Sequence, residues 1–207
     1  MIVDRLNTAQ RRIPAWTIYG LGLAHIVWLF WLGLSGGLGV EPISALEHML
    51  GETGLKLLLV GLAITPLRRF AGINLIRFRR AVGLTAFVYI TVHLLVWLFL
   101  DVQMLGEIWM AIVKRPYITI GMVGFLLMIP LAVTSNNLSL RKLGPGWRRL
   151  HRLTYIVVLL GALHFVMLAK GFQIEPLAYL VAALGLLATR PKWRGRSGPG
   201  LSRVSRG

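Results

Sequence analysis

Long apolar stretches, separated by short basic or glycine-containing segments, run through nearly the whole chain. A helix of roughly 20 apolar residues crosses a bilayer core of about 30 Å. The first such stretch is Trp16–Leu34, with aromatic residues towards both ends as interfacial anchors tend to be. It runs into Ser35-Gly36-Gly37-Leu38-Gly39, a turn segment. Ser44 with Glu47 three residues on resembles a capping box, which predicts a second helix from about residue 45 to Ile64, stopping at Thr65-Pro66. The third predicted span is Ala81–Leu100. The fourth opens on Pro116, a favoured first-turn residue, and runs to Thr134 with a kink at Pro130. The fifth is Trp147–Ala169 and the sixth Pro176–Thr189. Residues 1–15 form a polar N-terminal segment, and Arg190–Gly207 a basic tail, rich in Gly and Ser, expected to be disordered. The expected fold class is therefore all-α: a polytopic membrane protein with a six-transmembrane helix bundle over residues 16–189. Strands of a membrane barrel would be shorter and would alternate in polarity.

Composition narrows this. Of 207 residues 56% are hydrophobic, which suits a membrane domain and not a soluble core. There is no cysteine, so disulfides, iron–sulfur clusters and thiolate chemistry are excluded. The first apolar run spans a bilayer and has no small-residue cleavage site, so no cleaved signal sequence is expected. The net charge of +16 resembles that of a nucleic-acid binder, but its distribution argues against one. Nineteen of the 23 Lys and Arg fall on one side of the predicted membrane: in the N-terminal segment, the loop 68–80, the stretch 141–152 and the tail. Lys56, Lys114, Arg115 and Lys170 fall on the other. The positive-inside rule then places both termini in the cytoplasm, with the basic surplus facing anionic membrane lipid and no nucleic acid implied. The opposite face carries Glu41, Glu47, Glu52, Asp101, Glu107 and Glu175, either as ordinary solvated loops or as a docking surface.

The chemistry rests on histidines. An ionisable side chain in hydrocarbon is costly and marks a functional site by default. His93 lies 12 residues into the third span, and His164 lies 12 residues beyond Arg152 in the fifth. At about 1.5 Å per residue both sit roughly 18 Å deep, on helices running the same way. Two imidazoles at one level can clamp a haem iron between helices. His151 precedes His164 by 13 residues, about 20 Å along the axis and roughly 140° around it, too far to share one iron. It would ligate a second haem near the cytoplasmic face or be an interfacial histidine. At that level Arg77, Arg79 and Arg80 suit haem propionates or a flavin phosphate better than iron, being permanently charged donors. His48, beside Glu47 and Glu52, either lines a quinol-oxidation pocket together with Glu52 or belongs to a solvated helix start with a Glu52–Lys56 pair. His25 reads as a hydrogen-bonded core residue. No dinucleotide fingerprint, phosphate loop, Gly-x-Ser-x-Gly or His-Glu-x-x-His is present.

An ordered set of short motifs resembles the MsrQ (YedZ) family, within the broader ferric reductase-like transmembrane domains. The set is Gly36-Gly37-Leu38-Gly39 with Glu41-Pro42, Glu47-His48 with Gly51, and Leu62-Ala63-Ile64-Thr65-Pro66-Leu67. It continues with Ile76-Arg77 and Arg79-Arg80, Thr91-Val92-His93-Leu94, Arg115-Pro116-Tyr117 and Thr134-Ser135. It closes with Arg141-Lys142-Leu143-Gly144, Trp147, Leu150-His151 and His164. The resemblance implies a multi-pass protein of the bacterial inner membrane holding haem b, one or two, with His93, His151 and His164 as haem histidines. It implies an electron-transfer subunit rather than a catalytic one. Electrons would pass from the quinone pool to a periplasmic molybdenum-cofactor reductase, MsrP, which repairs oxidised methionines. It also carries an association with FMN, although no flavin motif is visible. Nothing after Arg190 has the pattern of a flavin or nicotinamide domain, so the expected donor is a quinol or a separate cytoplasmic flavin reductase. The rival expectations are a stand-alone ferric or cupric reductase, and a cofactor-free transporter whose histidines relay protons.

Overall fold

The computed structural model describes residues 2–169 and 173–190, and these form helices joined by turns, without a strand. In chain order the helices are α1 (Ile2–Arg12), α2 (Trp16–Leu34), α3 (Pro42–Phe70), α4 (Arg79–Val96), α5 (Leu105–Lys114) and α6 (Pro116–Val133). They continue with α7 (Asn137–Leu143), α8 (Pro145–Leu150), α9 (Leu153–Leu168) and α10 (Ile174–Ala188). A 3₁₀ turn, Ile76–Phe78, leads into α4, and a π-helical turn, Trp97–Val102, extends it. Among the described residues five segments are long and apolar enough to cross a membrane: Trp16–Leu34, Pro42–Phe70, Ile76–Val102, Pro116–Val133 and Pro145–Leu168. α10 is apolar but shorter, at 15 residues. Of the tail expected to be disordered, Arg190–Gly207, Arg190 is described and is bonded to Leu62 O, and residues 191–207, like Lys170 on the opposite side, lie outside the described residues.

The bundle is organised as two helix pairs. α3 lies along α4 and α6 along α9, with α2 flanking α4 and α10 flanking α9. Leu55, Leu58, Leu59 and Leu62 of α3 pack with Ala86, Met128, Leu131, Val157 and Val158 in one core. Ile26, Leu29, Leu46, Leu50, Tyr89 and Val96 form a second. α2 buries only Ile26 and Leu29 and turns Leu21, Leu23, Val27 and Trp31 outward. Apolar side chains on both faces are what a helix between lipid and protein requires, and they leave α2 without an amphipathic stripe.

Three predicted boundaries move. The second helix begins at Pro42 and has no side-chain cap, so the capping box of Ser44 and Glu47 is not formed. Proline at the first position needs no partner for an N–H it lacks and already has helical φ. The same helix does not stop at Thr65-Pro66 but continues to Phe70. Pro66 cannot donate to the Leu62 carbonyl four residues back, and Arg190 takes that place, its guanidinium donating to Leu62 O at 2.6 Å. The fifth span is interrupted at His151-Arg152, which form a turn between α8 and α9. The 140° relation between His151 and His164 assumed one continuous helix and does not apply.

The polar N-terminal segment contains a helix, α1. Asn7 Nδ2 donates to Gly72 O at 3.0 Å, the Asn74 N–H donates to Asn7 Oδ1 at 3.0 Å, and Gln10 Nε2 donates to Asn74 O at 2.6 Å.

Arg190→Ala leaves the Leu62 carbonyl unpaired in apolar surroundings. We expect a loss of about 1–3 kcal/mol, seen as a lower thermal unfolding midpoint in detergent. In a Pro66→Ala background, where the helix regains its own N–H donor, the same substitution costs measurably less. Equal losses in both backgrounds would refute this account of Pro66.

Candidate functional site

His93 on α4 and His164 on α9 face each other across the bundle, with ring centroids 6.4 Å apart and ring planes at 80°. The predicted equal depth becomes a direct juxtaposition. Each imidazole is held the same way. His93 Nδ1 donates to the Glu47 carbonyl of α3 at 2.9 Å, and His164 Nδ1 donates to the Tyr117 carbonyl of α6 at 2.7 Å. A backbone carbonyl cannot donate, so each ring carries its proton on Nδ1 and leaves Nε2 as a free lone pair.

Glycine makes these bonds reachable. A Cβ on Gly51 would lie 3.1 Å from His93 Nδ1, and one on Gly121 would lie 2.8 Å from His164 Nδ1. Each glycine stands four residues after the accepting carbonyl, where a side chain tilted towards the helix N-terminus would shield it. A second glycine follows three residues later in both helices. Gly54 leaves room for Ile90 of α4, and Gly124 packs on Leu160 of α9. The spacing Glu47-Gly51-Gly54 on α3 thus recurs as Tyr117-Gly121-Gly124 on α6.

Between the pairs lies a cavity of about 250 Å³ lined by both histidines and both glycine pairs' helices. Its floor is apolar, with Leu58, Met128 and Val157, and its rim is charged, with Glu47, Glu52, Asp101 and Arg115. Metal–imidazole nitrogen bonds of about 2 Å put two rings on opposite sides of one metal roughly 6 Å apart, which agrees with the 6.4 Å observed. Among the described residues no cluster of three or more His, Cys, Asp or Glu could enclose a metal alone. Two imidazoles therefore suit a metal that brings its remaining ligands with it, as porphyrin iron does.

The family model for the ferric reductase like transmembrane component matches residues 50–162, more than half of the chain. The protein-methionine-sulfoxide reductase heme-binding subunit MsrQ of Agrobacterium fabrum is 46% identical over 188 residues, covering 88% of this chain and 87% of that one. The chain belongs to the MsrQ family. The MsrQ proteins of Brucella anthropi and Brucella ovis are each 44% identical, covering 87% and 84% of this chain and 84% and 80% of their own. No solved structure matches significantly. With its apolar spans and this membership, the protein is a multi-pass membrane protein.

The other predicted residues separate into groups in this MsrQ-family fold. His48 and Glu52 line the same cavity as the histidine pair. Glu52 is bonded to Lys56 at 2.6 Å and accepts from the Tyr179 hydroxyl at 2.8 Å. His151 stands at the basic end. Trp147 stacks on it at 3.9 Å, and its Nε2 meets Thr134 Oγ1 at 3.1 Å. Thr134 gives its own proton to Pro130 O, at 2.6 Å, so His151 Nε2 is the donor to Thr134. Arg77 donates to the carbonyls of Gln10 and Arg11, at 3.2 and 2.8 Å, and Arg80 donates to Asn137 Oδ1 at 2.7 Å. Arg79 has no hydrogen bond among the described residues. His25 Nδ1 meets the Tyr89 hydroxyl at 2.7 Å, apart from the cavity.

Sequence reasoning named the imidazoles but not their acceptors or the paired glycines. The repeated spacing of a residue, a glycine four on and another three further was the available signal. Gly121→Ala is expected to displace His164 from the Tyr117 carbonyl, at a cost of about 1–2 kcal/mol. Nitrogen-15 histidine spectra would show one bonded Nδ1–H signal lost and that of His93 retained. An unchanged spectrum would contradict the role of Gly121.

Proposed function

We propose that this protein is the haem-bearing membrane electron-transfer subunit of a protein-methionine-sulfoxide reductase system in the bacterial inner membrane. It carries electrons from the quinone pool towards a periplasmic molybdenum-cofactor reductase, MsrP. The observation that carries the reading is the facing pair His93 and His164, each with Nδ1 bound to a carbonyl and Nε2 free over one cavity. The relatives from Agrobacterium fabrum and Brucella anthropi, protein-methionine-sulfoxide reductase heme-binding subunits, support it.

His93 and His164 are the residues that would hold one haem b. The bound haem supplies one-electron redox chemistry. The chain supplies orientation through the Glu47 and Tyr117 carbonyls, whose bonds to Nδ1 also raise ligand basicity. Leu58, Met128 and Val157 make the inner part of the cavity apolar, which disfavours water there. His48 and Glu52, on the same wall, are the groups able to take protons from a quinol's hydroxyls as its electrons leave. His151 is assigned to a second haem only in a conformation that gives up the Thr134 bond. In the arrangement described it holds the α8–α9 turn against α6.

The test is an absorption spectrum of the purified protein, oxidised and dithionite-reduced, with a pyridine haemochrome count. A b-type signal is expected, lost for the most part in His93→Ala and in His164→Ala and kept in His25→Ala. Full retention in both of the first two overturns the ligand assignment. With ring planes at 80°, the ferric protein should give a highly anisotropic low-spin EPR signal with one large g value. The ordinary rhombic set of parallel imidazoles would contradict the ligand geometry.

A further inference from the structure

Resting on the haem reading above, we propose that Arg115 is the propionate anchor of the haem held by His93 and His164. Among the described residues it is the one Lys or Arg lining their cavity. Haem carries two carboxylates at one edge, and the charged groups the cavity rim otherwise offers are Glu47, Asp101 and the Lys56-paired Glu52, none of which attracts them. A permanently charged planar donor is the side chain best matched to carboxylate oxygens, and such bonds are among the strongest a protein makes.

The local backbone prepares Arg115 for this. Its N–H is bonded to Ala111 O at 2.9 Å, and its carbonyl accepts from the Ile118 N–H at 2.9 Å. The α5–α6 corner is further closed by Thr119 Oγ1 donating to Ile112 O at 2.6 Å. Pro116 restricts both its own φ and the conformation before it, and Arg115 is extended accordingly at φ −116 and ψ 95. Two residues on, the Tyr117 carbonyl holds His164. One rigid corner thus places both an axial imidazole and a cation at the cavity. Among the described residues the guanidinium makes a single hydrogen bond, a 3.5 Å contact with the Tyr117 hydroxyl.

Of the arginines predicted for this role, Arg79 stands at the first turn of α4, at the opposite end of that helix from His93, and the other two are engaged there. Arg77 and Arg80 bond to α1 carbonyls and to Asn137, at the opposite end of α4 from His93. The anchor is therefore expected at the acidic end of the bundle, and the propionate edge with it.

The experiment uses purified holoprotein of wild type, Arg115→Gln, Arg115→Lys and Lys114→Gln. Lys114→Gln removes the same charge one residue away, from a side chain that does not line the cavity. A nearby guanidinium favours the reduced haem, whose charge is one unit less positive. Arg115→Gln should therefore lower the midpoint potential and speed haem loss to an acceptor globin by roughly tenfold, the loss of a charge-assisted bond. Arg115→Lys should keep most of the potential and lose part of the retention, and Lys114→Gln should match wild type. Equal potential and retention in Arg115→Gln and wild type, both haem-loaded, overturn the anchor and leave the haem reading standing. A Lys114→Gln shift as large as that of Arg115→Gln also overturns it. Wild type without haem overturns the haem reading and the anchor together.

Discussion

Two hydrogen bonds from imidazole to backbone carbonyl organise this bundle. A neutral imidazole in an apolar interior needs a partner for its N–H, because an unpaired donor there costs about 1–3 kcal/mol. Hydrocarbon offers no water, so the plentiful acceptors are helix carbonyls, each with a second lone pair beyond the one used within the helix. Reaching that lone pair from a neighbouring helix requires the shielding side chain four residues on to be absent. Gly51 and Gly121 meet the requirement. Once Nδ1 is tied to Glu47 O and Tyr117 O, the tautomer and the ring direction follow, and Nε2 of both rings opens on one cavity.

The same use of carbonyls recurs at two prolines of the bundle. At Pro66 the freed Leu62 carbonyl is bonded by Arg190, which ties the end of α10 to α3. At the end of α6 Thr134 bonds back to Pro130 O while its carbonyl accepts from Trp147 Nε1 at 2.9 Å. Arg69 reaches Thr189 O at 3.5 Å. Arg69, Arg77, Arg80 and Arg190 therefore brace turns and helix ends in addition to orienting the chain. Arg77 and Arg80 are held in place by these bonds, whereas Arg79 has no hydrogen bond among the described residues.

The sequence carried the all-α membrane class, the level shared by His93 and His164 and the hydrogen-bonded place of His25, because the first two depend on hydrophobic length and a fixed rise per residue. What it did not carry depends on partners distant in the chain. Pro66 looks like a stop because the donor that replaces its N–H is 124 positions away. Ser44 and Glu47 have the spacing of a capping box, yet Pro42 starts the helix earlier. The break at His151 is set by stacking on Trp147 and bonding to Thr134, neither visible as periodicity. Arg115 was counted as a topological charge, and only the cavity distinguishes it from Lys114.

The repetition of one cradle on two helix pairs has a physical consequence for a shared ligand. α3–α4 and α6–α9 each present one imidazole by the same carbonyl-and-glycine device. A group bound between them is held equally from both sides, so neither pair alone fixes its position along the bundle or its rotation. Rotation is constrained by what differs between the pairs. α3 brings carboxylates, Glu47 and Glu52, whereas the approach to α6 brings Arg115. An anionic edge therefore lies lower in energy towards the α5–α6 corner than towards α3. The symmetric part of the site grips, and the asymmetric charge at its rim orients.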